Sequence, residues 1–167
     1  MLNHVSLIPY RRNDREAFLS LFRNDANEMY YQPTLEIRGM ARRFLEGSHE
    51  GYGKNWTDKN YLALLDRQVI GCGSIARRHS NGEISCYVHP DYRRRGYGSE
   101  ILEELLRKGF SEMNLTELYS FCLPSSRQEL EFLSRLGFTI TAKDALMRLS
   151  IIKRTFSISA YTPAYVC

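Results

Sequence analysis

Apolar residues recur along this chain in two rhythms, and the switches between them mark its elements. Val5 to Ile8 reads as a short first strand. Ala17, Phe18, Leu21 and Phe22 then fall at helical spacing behind Asp14, a residue able to cap a helix. A second helical stripe of Leu35, Ile37, Met40, Ala41, Phe44 and Leu45 follows a second cap, Thr34. Glu46 to Asn60 breaks the rhythm: it is polar, holds three glycines and carries Tyr52 and Trp56, which predicts a long loop. Tyr61 to Leu65 and Val69 to Ile75 are strand-like runs on either side of Asp66-Arg67-Gln68. Ser80-Asn81-Gly82 is a turn signal, and Glu83 to Val88 is the strand after it. From about Gly98 to Asn114 the period returns to helical, with Ile101, Leu102, Leu105, Leu106, Phe110 and Met113 on one stripe. Leu118 to Leu123 is a further strand. Pro124-Ser125-Ser126 opens a helix over Leu130, Leu133 and Leu136, closed by Gly137. Ala145 to Ile152 is the last clear strand, and Phe156, Ile158 and Tyr161 either add a strand or pack as an extension.

This order predicts an α/β (α+β) layer fold around one mixed sheet. At 167 residues, with no repeat and no Pro/Gly/Ser-rich linker, the chain is expected to form a single domain. Such a length buries a core without disulfides or a structural metal. Ordinary apolar (43%) and charged (25%) fractions exclude collagen-like and disordered classes. No apolar run approaches the roughly 18 residues of a membrane-spanning helix. The opening MLNHVSLIPYRRNDRE turns polar too early for a signal peptide, so a cytoplasmic location is expected. Cys72, Cys86 and Cys122 lie in strand-like runs and read as buried free thiols, with Cys167 at the end of the chain. The histidines at 4, 49, 79 and 89 have no ligand spacing, and no metal site is read. Twenty-three basic against nineteen acidic residues give +4, which suits an anionic ligand and makes nucleic acid an unlikely partner.

The chemistry concentrates in CYVHPDYRRRGYGSEIL, residues 86–102. A strand ends, a turn holding Pro90 follows, then Arg93, Arg94 and Arg95, then Gly96-Tyr97-Gly98, then Ser99 in a helix. The first turn of a helix has unpaired N–H groups and partial positive charge. Glycines let a bulky anion approach the backbone, and arginines add charge-assisted bonds. Arg93 to Ser99 is therefore a candidate pyrophosphate cradle; a tight turn beside a basic surface run is the alternative. A Walker pattern is absent. Gly71-Cys72-Gly73-Ser74-Ile75-Ala76 mimics a dinucleotide fingerprint, but no apolar helix follows it, so it reads as glycines inside a strand.

Arg93-x-x-Gly96-x-Gly98 after VHPDY resembles the R/Q-x-x-G-x-G/A signature of GNAT-type N-acetyltransferases. The following helix, the strand ELYSFCL and the segment SSRQELEFLSRLGF extend the resemblance over about residues 61–141. The resemblance implies the GNAT-like acyl-CoA N-acyltransferase fold: a mixed, mostly antiparallel sheet flanked by helices, its strands splayed at the cofactor. It also implies acetyl-CoA as donor, with no metal, and a primary amine as acceptor, attacking in a ternary complex. The backbone of Tyr87 and Val88 is then expected to pair with the pantetheine arm. The amides of Arg94 to Ser99 would hold the pyrophosphate, and the Val88 N–H would serve the oxyanion. Glu83 is the candidate general base, with a solvated turn glutamate as the alternative. Ser126 stands where relatives often have an asparagine, as a pantetheine contact or a helix cap. Leu133 stands where many relatives have a tyrosine acid. That loss resembles the branch acting on protein N-termini and some antibiotics, but Glu129, in place of that branch's frequent serine, speaks against it. A non-catalytic acyl-CoA-binding module on the same fold is the alternative function.

For the acceptor side, Tyr30, Tyr31, Tyr52, Trp56 and Tyr97 are candidate walls, and Glu46, Glu50 and Asp58 candidate charges. Residues 1–60 are expected to supply the first strand, two helices and acceptor loop, and 142–167 the C-terminal strands. A monomer or homodimer is expected, the latter through the tail YTPAYVC.

Overall fold

The computed structural model describes residues 4–23 and 58–156. The predicted second helix, the loop aromatics, Glu46, Glu50 and the tail beyond Phe156 lie outside them. Among the described residues, seven strands form one sheet in the order β1-β2-β3-β4-β5-β7-β6. They are β1 (Ser6–Pro9), β2 (Asp58–Leu65), β3 (Gln68–Arg78), β4 (Asn81–Val88), β5 (Glu117–Cys122), β6 (Thr139–Lys143) and β7 (Met147–Ile152). Every neighbouring pair is antiparallel except β4 and β5. A parallel pair needs a crossover, and the helix α2 (Tyr97–Arg107) lies in it. The short helix α1 (Arg15–Ser20) follows β1, and α3 (Arg127–Arg135) follows β5.

Alternation along the strands sorts side chains to two faces. Ile84 of β4, Leu118 of β5 and Leu149 of β7 join Ile101, Leu102 and Leu105 of α2 and Leu133 of α3 in the main core. The other face carries Leu62, Cys72 and Tyr87, covered by Phe18, Leu21 and Phe22 at α1. Gly71-Cys72-Gly73 is strand, as the absence of a following apolar helix implies. Gly73 lets α2 approach: a Cβ there would stand 2.6 Å from Leu105 Cδ1.

Strands run longer than the apolar pattern suggests, because β2 and β3 extend through polar residues from Asp58 and to Arg78. Asp58, read as a loop charge, is the first residue of β2 and pairs with Arg78 at 3.6 Å. Asp14 does not cap α1; its carboxylate accepts the Arg11 N–H at 2.8 Å, closing a one-turn helix before it. The helix predicted to Asn114 ends its α-geometry at Arg107 and widens over Lys108–Glu112. Strand β6 was not anticipated: all five of its residues are exposed, so no buried stripe announces it. Phe156 packs 5.3 Å from Phe110. Cys72 and Cys122 are buried, Cys86 is half-buried, and none of the three forms a disulfide among the described residues. No helix among the described residues is long and apolar enough to cross a membrane.

Candidate active site

Strands β4 and β5 pair over three positions only: Asn81 with Glu117, Gly82 with Leu118 and Glu83 with Tyr119. Beyond them β4 runs on to Val88 and β5 to Cys122 without pairing, so the sheet opens into a wedge. The ladder on the other side of β4 fixes which backbone groups face that wedge. The His89 N–H donates to the Ile70 carbonyl at 2.8 Å. Bonded and non-bonded pairs alternate in an antiparallel ladder. Tyr87, opposite Cys72, therefore bonds to β3, whereas Val88, opposite Gly71, turns its N–H and C=O towards the β5 side. Arg93 Nε donates to the Val88 carbonyl at 2.9 Å, and its guanidinium lies 5.3 Å from the Tyr87 ring centre. Of the two residues expected to face the pantetheine, only Val88 presents backbone to the wedge.

The loop after Val88 makes one tight turn over Pro90–Tyr92 and delivers Arg94 and Gly96 in left-handed conformations, at φ 64 and 88. Gly96 supplies its conformation at little cost and starts α2. The N–H groups of Ser99 and Glu100 return to the Gly96 carbonyl at 3.0 and 3.2 Å. Those of Arg94, Arg95, Gly96, Tyr97 and Gly98 have no backbone acceptor among the described residues. Five consecutive amides thus stand without backbone acceptors at the positive end of an 11-residue helix. Ser99 stands in the sequence-predicted cradle but has its amide committed. Arg94 and Arg95 are exposed and make no ion pair among the described residues. Tyr97 packs half-buried against the main core.

Gly98 sits where the helix meets the wedge. A Cβ there would lie 3.6 Å from Phe132 Cζ and 3.7 Å from Val88 Cγ2, so a side chain at this position would stand between α3 and β4. Phe132 was not singled out from the sequence; it is one of several apolar positions on α3, and only the packing against Gly98 distinguishes it. The Ser126 hydroxyl makes no capping bond, although its carbonyl accepts the Leu130 N–H at 3.0 Å. Leu133 is buried in the core, 4% exposed. Glu129, one turn earlier on α3, is half-buried, and burial pushes its carboxyl above the ordinary range.

Glu83 lies half-buried on the α1 face of β4, at the last paired position before the wedge. Its strand partner Tyr119 has its phenol raised by burial first and by the Glu83 carboxylate next. Val88, on the opposite face, is five residues along the same strand. The arrangement can grip an extended polar chain along β4, hold its anionic end at α2 and place a carboxylate on the far side of the wedge.

A mostly antiparallel sheet that splits after its fourth strand, with helices on both faces, defines the fold class. Residues 4–139 match the family profile of the Acetyltransferase (GNAT) domain, and the chain belongs to that family. Over 130 residues it is 24% identical to YoaA of Bacillus subtilis, an uncharacterized N-acetyltransferase, covering 75% of this chain and 73% of that one. A spermidine N-acetyltransferase chimera from Vibrio cholerae and hSSAT superposes with a TM-score of 0.70 at 14% identity, over 91% of this chain and 97% of the other. Campylobacter jejuni PseH, solved with acetyl coenzyme A, gives a TM-score of 0.65 at 17% identity over 89% and 99%. The fold is thus the GNAT fold, as the sequence resemblance implied.

Proposed function

We propose that the chain is an N-acetyltransferase that moves the acetyl group of acetyl-CoA to a primary amine in a ternary complex. The observation that carries this reading is the continuity from the Val88 backbone, past Gly98, to the five amides at the start of α2. Val88 would pair with the pantetheine arm. The amides from Arg94 to Gly98, with Arg94 and Arg95, would hold the pyrophosphate. Arg93, turned back onto Val88, braces the loop. Ser126, with an uncommitted hydroxyl at the head of α3, is a further pantetheine contact.

Acetyl-CoA supplies an activated acyl group and a thiolate leaving group. Glu83, five residues back along β4 from Val88, accepts a proton from the acceptor ammonium through intervening water, freeing a lone pair. The amine nitrogen bonds to the acyl carbon, the carbon–sulfur bond breaks, and the second nitrogen proton goes to the departing thiolate. One amide, one thiol and one released proton result. The Val88 N–H stabilises charge developing on the acyl oxygen. Leu133 supplies no acid, and a thiol pKa near 8.5 makes one dispensable.

Thermal unfolding against rising acetyl-CoA tests the reading, with ATP and NAD as controls. A ligand that binds only the folded state adds about 2.7 kcal/mol at a hundredfold excess over its Kd. A selective acetyl-CoA shift is expected; none at millimolar concentration would sink the proposal. The buried Leu133 favours one second reading, a non-catalytic acyl-CoA-binding module. It requires binding with no thiol release across a broad amine panel.

A further inference from the structure

The three arginines of the loop are not equivalent. Arg94 and Arg95 belong to the run of amides without backbone acceptors, whereas Arg93 is turned away from it twice over. Its amide donates to the Pro90 carbonyl at 3.2 Å, and its Nε to the Val88 carbonyl at 2.9 Å. Its guanidinium carbon lies 5.3 Å from the centre of the Tyr87 ring, on the face of the sheet that α1 covers. That ring is a fixed shelf: it stands 4.6 Å from the Phe22 ring, and its hydroxyl donates to the Leu21 carbonyl at 3.3 Å. The guanidinium is thus oriented through Nε while its Nη edge is exposed. No carboxylate answers it among the described residues. Asp58 and Glu117, on the same face, pair with Arg78 and Arg148. Glu83 stands five residues back along β4 from Val88, about 16 Å at the rise of a strand.

We infer that Arg93 anchors the acceptor, and that the amine acetylated here carries a carboxylate a few bonds from its nitrogen, as an amino acid does. This deepens the proposed function and rests on it. The donor path past Gly98 and Phe132 lies on the face that α2 and α3 cover, which leaves the α1 face of the wedge to the acceptor. Arg93 is the cation on that face beside the reacting centre. The thioester oxygen is assigned to the Val88 N–H, and the guanidinium is bonded to the carbonyl of the same residue. One residue of strand rises only about 3.3 Å, so the attacking nitrogen and the anchored anion must be close neighbours in the acceptor. A planar guanidinium edge matches the two oxygens of a carboxylate, and the bond to Val88 with the aromatic shelf beneath sets its orientation in advance. A single guanidinium also balances the single charge of a carboxylate.

The test measures thiol release at saturating acetyl-CoA with the protein amino acids that bear a primary amine, each beside its decarboxylated amine. Wild type, Arg93→Ala and Arg93→Lys are compared, and acetyl-CoA affinity is read separately in all three by thermal shift. Wild type is expected to use at least one amino acid about tenfold better in kcat/KM than its amine, the scale of one charged hydrogen-bonded contact. Arg93→Ala is expected to bring that ratio to about one by raising KM for the amino acid. Each ratio is taken within one protein at saturating donor, so weakened acetyl-CoA binding in a variant cancels from it. Arg93→Lys keeps the charge and is expected to hold a higher ratio than Arg93→Ala while its donor affinity stays low, which separates anchoring the acceptor from bracing the loop. No amino acid preferred to its amine, no turnover of any acceptor despite acetyl-CoA binding, or an unaltered ratio in Arg93→Ala would overturn the inference and leave the donor site standing. Loss of the acetyl-CoA shift in wild type would instead remove the proposed function beneath it.

Discussion

A methyl group at Gly73 would meet Leu105 Cδ1 at 2.6 Å, and Leu105 is fully buried, with little room to give. Overpacking of that kind costs about 1–3 kcal/mol. Gly73→Ala is expected to lower Tm by several degrees. A methyl at Gly98 meets only ordinary contacts, at 3.6 and 3.7 Å, so Gly98→Ala is expected to leave Tm unchanged. It projects between Phe132 and Val88, however, where the proposed donor passes from the wedge to α2, and should weaken acetyl-CoA binding about tenfold in a titration. The same helix and strand thus need one glycine for packing and another for access. Glu129 makes a pH-dependent case. Burial raises its folded-state pKa, so the folded chain holds more protons than the unfolded one. Stability then falls as pH rises from the ordinary carboxyl range through that raised value. Glu129→Gln should raise Tm near neutral pH by a few degrees and do nothing in acid, below both values; about 1 kcal/mol moves Tm by ~2–4 °C in a chain of this size. An equal shift at both ends of the range would assign the effect to packing instead.

Arg93 ties the loop between β4 and α2 back to its strand, its Nε reaching the Val88 carbonyl at 2.9 Å. Arg93 is exposed, so Arg93→Ala should change Tm by less than about 2 °C, as surface substitutions do. Acetyl-CoA affinity should fall about tenfold, because five amides lose their fixed orientation. Arg93→Lys should not restore it, as an ammonium lacks the planar donor set that reaches the carbonyl beside an aromatic ring. This element was legible in the sequence because glycine, proline and arginine each announce a backbone demand at a definite position. Strand β5 was legible from buried positions at a period of two, and β2 and β3 as short apolar runs bounded by turn residues. Strand β6 was not, since every one of its residues is exposed, and Asp14 misled because its carboxylate had a nearer N–H to satisfy at Arg11. The closeness of Tyr119 to Glu83 was invisible in the sequence, since only the parallel register with β4 sets them side by side.

At the scale of the whole molecule, the sheet is two antiparallel arms, β1 to β4 and β5-β7-β6, joined by three paired positions and the crossover through α2. The wedge between the arms follows from that short junction, and its consequence is measurable within a single strand. Tyr87 bonds to β3, so its amide should exchange slowly with deuterium in the unliganded protein. Val88, one residue on, faces the wedge and should exchange much faster, although both belong to the same strand. A donor bridging the arms should protect Val88 together with the five amides from Arg94 to Gly98, while leaving Tyr87 unchanged. Residue-resolved exchange with and without acetyl-CoA distinguishes this from general stiffening, in which protection would rise along β4 regardless of alternation. Slow exchange at Val88 before any ligand is added would mean that the arms close on each other in solution. The donor would then have to open them, and its affinity would be reduced by the population of the closed form.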